Sequence, residues 1–149
     1  MKITEGCFEA TGHTSIICDF SPPRSGDSAV VTQAQIDADF ILVAYNPGRA
    51  VRTNSAMLAA AIQQSGKDAV FTLATRDMNK LAVQSLLLGA QLLGLQNVVV
   101  VQGDLFGEQD QARVATVNDY HSTGLISAIA QMNQGQDFKE AKLRAPSDF

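Results

Sequence analysis

The feature that most constrains this chain is a series of four short apolar runs at nearly regular intervals. Each run is followed at once by polar or turn-forming residues. The runs are Ser15–Cys18, Phe40–Ala44, Ala69–Ala74 and Val98–Val101. Short continuous runs without polar alternation are typical of strands that are buried on both faces of a parallel sheet. The sequence therefore predicts a parallel sheet rather than an antiparallel one.

Segments with helical signals separate and follow these runs. The predicted helices are Val30–Ile36, Thr53–Gln64, Met78–Leu93 and a last one from Ser122 or Thr123 to about Asn133. Two loops that follow strands stay irregular in this prediction, the turn-rich Ser21–Asp27 and the long polar Gly103–Asn118. Alternating strands and helices predict an α/β fold with right-handed crossovers.

The helix Met78–Leu93 carries the clearest local signals. Asp77 is expected to cap its start, and Gly94 is expected to end it. Leu86 and Leu87 broaden its apolar surface. A single helical face, predicted to be the buried one, is formed by Leu81, Ala82, Leu88 and Leu92.

Composition excludes several classes of function. The net charge is −4, from 11 basic and 15 acidic residues, and no basic stripe is present, which argues against a nucleic-acid partner. No apolar run has the length of a membrane span, and Met1–Ala10 lacks the apolar stretch of a signal peptide. The two cysteines, Cys7 and Cys18, form no disulfide framework, so a cytoplasmic location is expected. His13 and His121 have no partner at ligand spacing, so no metal site is expected.

Polar side chains stand where the predicted strands end. They are Asp19, Tyr45 with Asn46, Thr75 with Asp77, and Asp104. The carboxyl ends of parallel strands share one rim of the sheet, which is where ligands bind in such folds. Two carboxylates on that rim, Asp19 and Asp104, suit acid–base chemistry or the binding of a polar ligand. The alternative is that they cap helices or hold loops, and the pattern leaves both open.

The loop Asn46–Arg52 places Arg49 and Arg52 just before a helix. This arrangement suits an anion such as a phosphate or a carboxylate, and the alternative is a pair of solvated arginines. Gly103-Asp104 is neither a dinucleotide fingerprint nor a phosphate-binding loop of the Walker type.

An ordered set of motifs resembles the methylenetetrahydrofolate reductase family. Asp-Phe-Ser-Pro-Pro-Arg at 19–24 is similar to the family's first-strand Glu-Phe-x-Pro-Pro-Arg/Lys. Leu73–Asn79 is similar to its third-strand motif, commonly His-Leu-Thr-Cys-Arg-Asp-Arg-Asn. The order continues through Leu87–Val98 with Gly103-Asp104, then Val117–Ile126, Met132–Gly135 and Pro146–Phe149.

The resemblance implies a TIM barrel with FAD over the carboxyl ends of the strands. It also implies hydride transfer from NAD(P)H through the flavin to methylenetetrahydrofolate, which gives 5-methyltetrahydrofolate. The substrate would be a folate, and the setting would be one-carbon metabolism and methionine biosynthesis.

The resemblance also implies roles for single residues. Asp104 matches a catalytic aspartate, and Asp19 stands where the family has a glutamate that acts as general acid. The aspartate is shorter by one carbon, roughly 1.5 Å of reach. Thr72 replaces a histidine that contacts the flavin. The implied cofactor-binding residues are Tyr45, Thr72, Thr75, Arg76, Asp77, Gln102, Gly103 and Asp104.

The length of the sequence does not fit a complete TIM barrel, because such a barrel has eight strand–helix units and about 250 residues. The chain has 149 residues and four such units. Residues 1–149 are therefore expected to be a single partial barrel domain that ends where strand five would start. Alone it is expected to be inactive, with the other half supplied by further chain or by a homo-oligomer. The alternatives are a non-catalytic or divergent homologue that binds folate or a protein partner, and an unrelated α/β binding module.

Overall fold

The structure is a computed structural model, and it describes residues 1–5 and 14–149; Cys7 and His13 lie outside the described residues. Four strands form one sheet in the order β1-β2-β3-β4. They are β1 (Ile17–Phe20), β2 (Phe40–Val43), β3 (Asp68–Ala74) and β4 (Val98–Val101). Strand β2 pairs in parallel with both β1 and β3. The predicted α/β class with a parallel sheet is confirmed, and the sequential order is that of consecutive strands in a TIM barrel.

Helices connect and follow the strands. They are α1 (Val30–Gln33), α2 (Ser55–Gln64), α3 (Lys80–Leu92), α4 (Glu108–Gln111) and α5 (Ser122–Asn133). The four predicted helices are confirmed with shifted ends. Helix α4 was not predicted, because it is a single turn inside a polar segment that has no apolar periodicity. None of the helices in the described residues is long and apolar enough to cross a membrane.

The chain divides into two compact units, and the first comprises Met1–Thr72 and Leu93–Val99. Helix α2 begins at Ser55 because the side chain of Asn54 accepts hydrogen bonds from the backbone N–H groups of Ala56 and Met57, at 3.0 and 3.2 Å. The buried Ser55 hydroxyl donates to the carbonyl of Thr72 at 2.7 Å and so ties the start of α2 to β3. Fully buried side chains of this unit include Phe40, Ile41, Val43, Ile62, Val70 and Phe71.

The second unit comprises Leu73–Leu92 and Val100–Phe149. Its core contains the fully buried side chains of Leu73, Val83, Leu87, Leu125 and Met132. Gln84 is also buried, and its side-chain oxygen accepts a hydrogen bond from the backbone N–H of Phe138 at 2.9 Å. That bond fixes the segment after α5 against α3.

Helix α3 buries a different face from the predicted one. The buried residues are Val83, Gln84, Leu87 and Ala90, whereas Leu81, Ala82, Leu88 and Leu92 are exposed. Leu92, which the periodicity places on the apolar face, is 86% exposed. The prediction was wrong because apolar residues surround most of this helix, so periodicity alone does not select a face.

The start of α3 also differs from the prediction. Asp77 does not cap the helix, because its carboxylate is paired with Arg76. Helix α3 begins at Lys80, whose backbone N–H donates to Asp119 Oδ2 at 3.1 Å, and Asn79 Oδ1 accepts from the N–H of Ala82 at 2.9 Å. Because Asp77 pairs with Arg76, the side chains of Asp119 and Asn79 accept the hydrogen bonds from the first N–H groups of α3.

The two outer strands are less buried than predicted. Strands β2 and β3 are almost wholly buried, but Ile17 of β1 is 45% exposed, and Val99 and Val101 of β4 are each 37% exposed. Among the residues that the structure describes, each outer strand has a hydrogen-bonded neighbour on one side only. Strand β1 also begins later than predicted, so that Asp19 lies within the strand and not after it.

Candidate functional site

In the second unit, four residues form a compact group that we call the Arg76 cluster: Arg76, Asp77, Asp104 and Phe106. Arg76 Nε and Nη2 donate to the two carboxylate oxygens of Asp77 at 2.6 and 2.8 Å. Nη1 donates to the backbone carbonyl of Asp104 at 2.5 Å, and the guanidinium lies 3.9 Å from the centre of the Phe106 ring. Arg76 is only 5% exposed, so its charge is neutralised and stacked inside the protein.

Gly103 is needed by the geometry of this cluster. Its φ is +88°, a region that side chains rarely adopt. A Cβ at this position would lie 3.2 Å from the Cβ of Arg76 and 3.4 Å from that of Ala74. The glycine therefore permits the end of β4 to pass close to the end of β3.

The loop after β4 is fixed on both sides of the cluster. The backbone N–H groups of Thr75 and Arg76 donate to the carbonyls of Val101 and Gln102 at 3.0 and 3.2 Å, which extends the β3–β4 pairing past the strand ends. Farther along the loop, the N–H of Val117 donates to the carbonyl of Arg76 at 2.9 Å. The segment from Gly103 to Val117 is thus anchored at both ends on the residues that follow β3.

Two side chains reach the surface at the carboxyl end of β4. Asp104 is exposed, and only its backbone carbonyl is used by Arg76. Gln102 is also exposed, and its side-chain amide donates to Asn118 Oδ1 at 3.1 Å. The result is a carboxylate and an amide on a hydrogen-bonded backbone, and together they can accept hydrogen bonds from a polar ligand and donate to it.

The remaining predicted residues of this unit are less accessible. Thr75 is 1% exposed, and its hydroxyl donates to the carbonyl of Gln102 at 3.4 Å. Arg76 is enclosed by its partners, and Asp77 is half-buried against it. The structure thus brings Thr75, Arg76, Asp77, Gln102, Gly103 and Asp104 together, and the first three support the exposed Gln102 and Asp104.

Asp19, Tyr45 and Thr72 belong to the first unit. Asp19 is exposed on β1 opposite Leu42 of β2, and Tyr45 is half-buried just after β2. Thr72 is buried, and its carbonyl accepts the hydrogen bond from Ser55.

Sequence reasoning missed Phe106, and it placed Val117 and Asn118 in a family motif without predicting their contacts with Arg76 and Gln102. One signal was available, because Phe106 is the only aromatic residue between Gly103 and Asp119. The contacts of Val117 and Asn118 use a backbone N–H and a side-chain amide oxygen, and no local pattern predicts them.

A hollow of about 530 Å³ opens in the loop that follows Asp104. Apolar side chains form most of its wall, and amide and hydroxyl groups supply the rest. The lining residues are Leu105, Phe106, Gln111, Val114, Ala115, Thr116 and Asn118. An apolar wall with a few polar groups suits a ligand that has an apolar face and a polar edge.

Comparison with known proteins identifies a family. A comparison with curated proteins gives no match. The sequence model of the family described as methylenetetrahydrofolate reductase matches residues 6–141, which include the candidate residues of both units. The chain therefore belongs to the methylenetetrahydrofolate reductase family.

Proposed function

We propose that this chain supplies part of the active site of a flavin-dependent methylenetetrahydrofolate reductase. The observation that carries the proposal is the exposed carboxylate of Asp104 at the carboxyl end of β4, on a backbone that Arg76 holds in place. Active sites of TIM barrels lie at this end of the strands. The proposed substrate is a folate, and the proposed cofactors are FAD and NAD(P)H.

The groups around Asp104 fit the ring of a flavin. The Gln102 amide and the Asp104 carboxylate are exposed beside an apolar hollow, and a flavin ring has a polar edge and an apolar face. When bound, the flavin supplies hydride transfer between the nicotinamide and the methylene carbon of the folate. The part of Gln102 and Asp104 is to orient the ring edge and to set the charge beside it.

Asp19 is proposed as the acid that protonates the folate as its methylene bridge opens. Its exposure on β1 leaves the carboxyl accessible to a ligand. Proton transfer requires hydrogen-bond contact, and an aspartate reaches roughly 1.5 Å less than a glutamate. We therefore expect slow reduction by the natural protein and faster reduction by Asp19→Glu.

Arg76 is proposed as a positioning residue. It offers no free edge to a ligand, because its donors bond to Asp77 and to the Asp104 carbonyl while Phe106 covers one face. Its contribution is to fix where the Asp104 carboxylate stands. Asp77 and Thr75 support Arg76 and the end of β4 in the same way.

The test begins with the protein isolated from its own cells, so that any further chain or partner is retained. We expect a flavin absorption band and the formation of methyltetrahydrofolate from methylenetetrahydrofolate and a reduced nicotinamide. Asp104→Asn should lower kcat by at least about tenfold, whereas Asp110→Asn removes one carboxylate from the same loop and should leave it unchanged. A protein without flavin, which added FAD does not reconstitute, would disprove the proposal.

A second candidate is a non-catalytic homologue that binds folate or a protein partner. The departures at Asp19 and Thr72 favour it, because both stand where the family has catalytic or flavin-contacting groups. Asp19 decides between the two. If neither the natural protein nor Asp19→Glu nor Asp19→Ala reduces methylenetetrahydrofolate above background, the non-catalytic function is supported and the proposed reductase is not.

We further propose that residues 1–149 act as one half of a barrel. The support is the exposure of apolar side chains on the outer strands, Ile17 on β1 and Val99 and Val101 on β4. Further chain or a second copy would supply the other strands. We also propose a cytoplasmic location, which suits the free thiol of Cys18.

A further inference from the structure

An arginine-lined hollow lies in the first unit, in the loops that follow β1 and β2. Its volume is about 370 Å³. We call it the Arg24–Arg52 hollow, and its lining residues are Arg24, Ser25, Gly26, Val51, Arg52 and Thr53. Two of these six carry a positive charge and none is acidic. The chain as a whole has a net charge of −4, so the positive charge of this hollow is opposite in sign to the net charge of the chain.

Arg52 is held in place before any ligand arrives. Its Nε donates to the carbonyl of Pro47 at 3.3 Å, and its Nη1 donates to the carbonyl of Pro22 at 2.8 Å. The side chain is half-buried, and its backbone N–H donates to Asn46 Oδ1 at 3.1 Å. A guanidinium has five N–H donors, so these bonds leave others for a ligand. Because the side chain is already ordered, binding would cost little of its conformational entropy.

The two loops that form the hollow are joined to each other. The backbone N–H of Thr53 donates to the carbonyl of Pro23 at 3.0 Å, and the Thr53 hydroxyl donates to the carbonyl of Ser25. Arg24 lies between these two anchored carbonyls and is exposed. The loop that carries Arg24 is therefore fixed beside the loop that carries Arg52.

We propose that the Arg24–Arg52 hollow binds an oxyanion group of a ligand, either a phosphoryl group or a small dicarboxylate. Guanidinium groups bind the oxygens of both through paired, charge-assisted hydrogen bonds. The volume suffices for a diphosphate, and the wall offers no negative charge to repel it. The proposal does not depend on the reductase assignment, since it rests on residues that the proposed chemistry does not use.

The test is isothermal titration calorimetry of the full chain at low ionic strength, with inorganic pyrophosphate and with succinate as separate probes. We expect Arg24→Gln to weaken binding about tenfold, because it removes one charged donor and leaves the anchored loop intact. Arg24→Lys should recover part of the loss. Arg113→Gln is the matched control, since it removes an exposed arginine that does not line the hollow, and it should bind like the natural chain.

Amide chemical shifts should locate the binding. Pyrophosphate or succinate should move the signals of residues 24–26 and 51–53 and leave those of the control loop around Arg113 in place. Tighter binding of pyrophosphate would assign the hollow to phosphoryl groups, and tighter binding of succinate would assign it to dicarboxylates. If neither probe binds, or if Arg24→Gln and Arg52→Gln bind as tightly as Arg113→Gln, the proposal is wrong.

Discussion

At the residue scale, Arg76 is the side chain on which the candidate site most depends. Burial of a guanidinium is costly unless its partners are complete, and here a carboxylate, a carbonyl and an aromatic ring complete them. Arg76→Lys keeps the charge but loses the planar fork. We expect it to lower the free energy of unfolding by about 2–3 kcal/mol, measured by urea denaturation. Arg113→Lys, at an exposed position, should change it by less than about 0.5 kcal/mol. Equal effects of the two substitutions would contradict this account.

A prediction at Gly103 tests the addition of an atom, whereas the prediction at Arg76 tests the loss of contacts. Gly103→Ala should lower the free energy of unfolding by about 1–3 kcal/mol, since φ is +88° and the new Cβ would press on Arg76. Gly107→Ala is a matched control in the same loop, with a φ of −68° and nothing within 4 Å of the added Cβ. Thermal unfolding of the two variants should separate them. A Gly103→Ala protein as stable as Gly107→Ala would show that the loop can move away.

Tyr120 provides a pH-dependent prediction. Burial raises the pKa of the Tyr120 phenol, the hydrogen bond from Gln84 opposes this shift, and the nearby Asp119 carboxylate adds to it. A raised pKa means that the folded state holds this proton more tightly than the unfolded state does. The stabilisation is therefore complete below about pH 10, the ordinary pKa of tyrosine, and is lost as the pH rises through the folded value. Absorbance titration should show that Tyr120 ionises above pH 10. Tyr120→Phe should lose less stability at alkaline pH than the natural protein does. The same alkaline loss of stability in both proteins would contradict a raised pKa of Tyr120.

At the scale of elements, α3 shows how tertiary contacts select a helix face. Leu87 is fully buried, whereas its neighbour Leu88 is 41% exposed. Leu87→Ala should lower the free energy of unfolding by about 2–5 kcal/mol, because it leaves a cavity in the core of the second unit. Leu88→Ala makes the same chemical change and should cost less than about 1 kcal/mol. Denaturant unfolding of the two variants distinguishes the observed buried face from the predicted one. A larger loss of stability for Leu88→Ala than for Leu87→Ala would support the predicted face.

The strands and helices themselves were largely predictable, and the reason is local. Short β-branched runs and segments with capping or ending residues determine element type through backbone preference, as in β4 and α2. Two features were not predictable. Helix α4 has no apolar periodicity that would predict it. Asp77 was expected to cap α3, but it pairs with Arg76, and no sequence pattern predicts that pairing because it depends on side-chain geometry.

At the scale of the whole molecule, the outer strands expose apolar side chains. Ile17, Val99 and Val101 remain accessible on strands that have one neighbour each within residues 1–5 and 14–149. Exposed apolar strands promote association with other chains. We expect the chain of 149 residues to self-associate at high concentration, as measured by light scattering. Val99→Thr with Val101→Thr keeps the strand shape and should reduce the association, whereas Leu58→Met in the core should not. A monomer at all concentrations would contradict this prediction.

The sequence by itself determined the α/β class, the parallel sheet, the order of elements and the family, because these depend on local preference and on motifs in a fixed order. It also pointed to Asp104 and to the glycine before it. The tertiary structure alone decided that Arg76 and Thr75 are buried supports, that α3 buries Leu87 and exposes Leu88, and that Phe106 covers the guanidinium. These properties depend on contacts between residues that are distant in the sequence. Local sequence patterns do not predict those contacts, because the free energies of burial and pairing that favour them arise only in the folded chain.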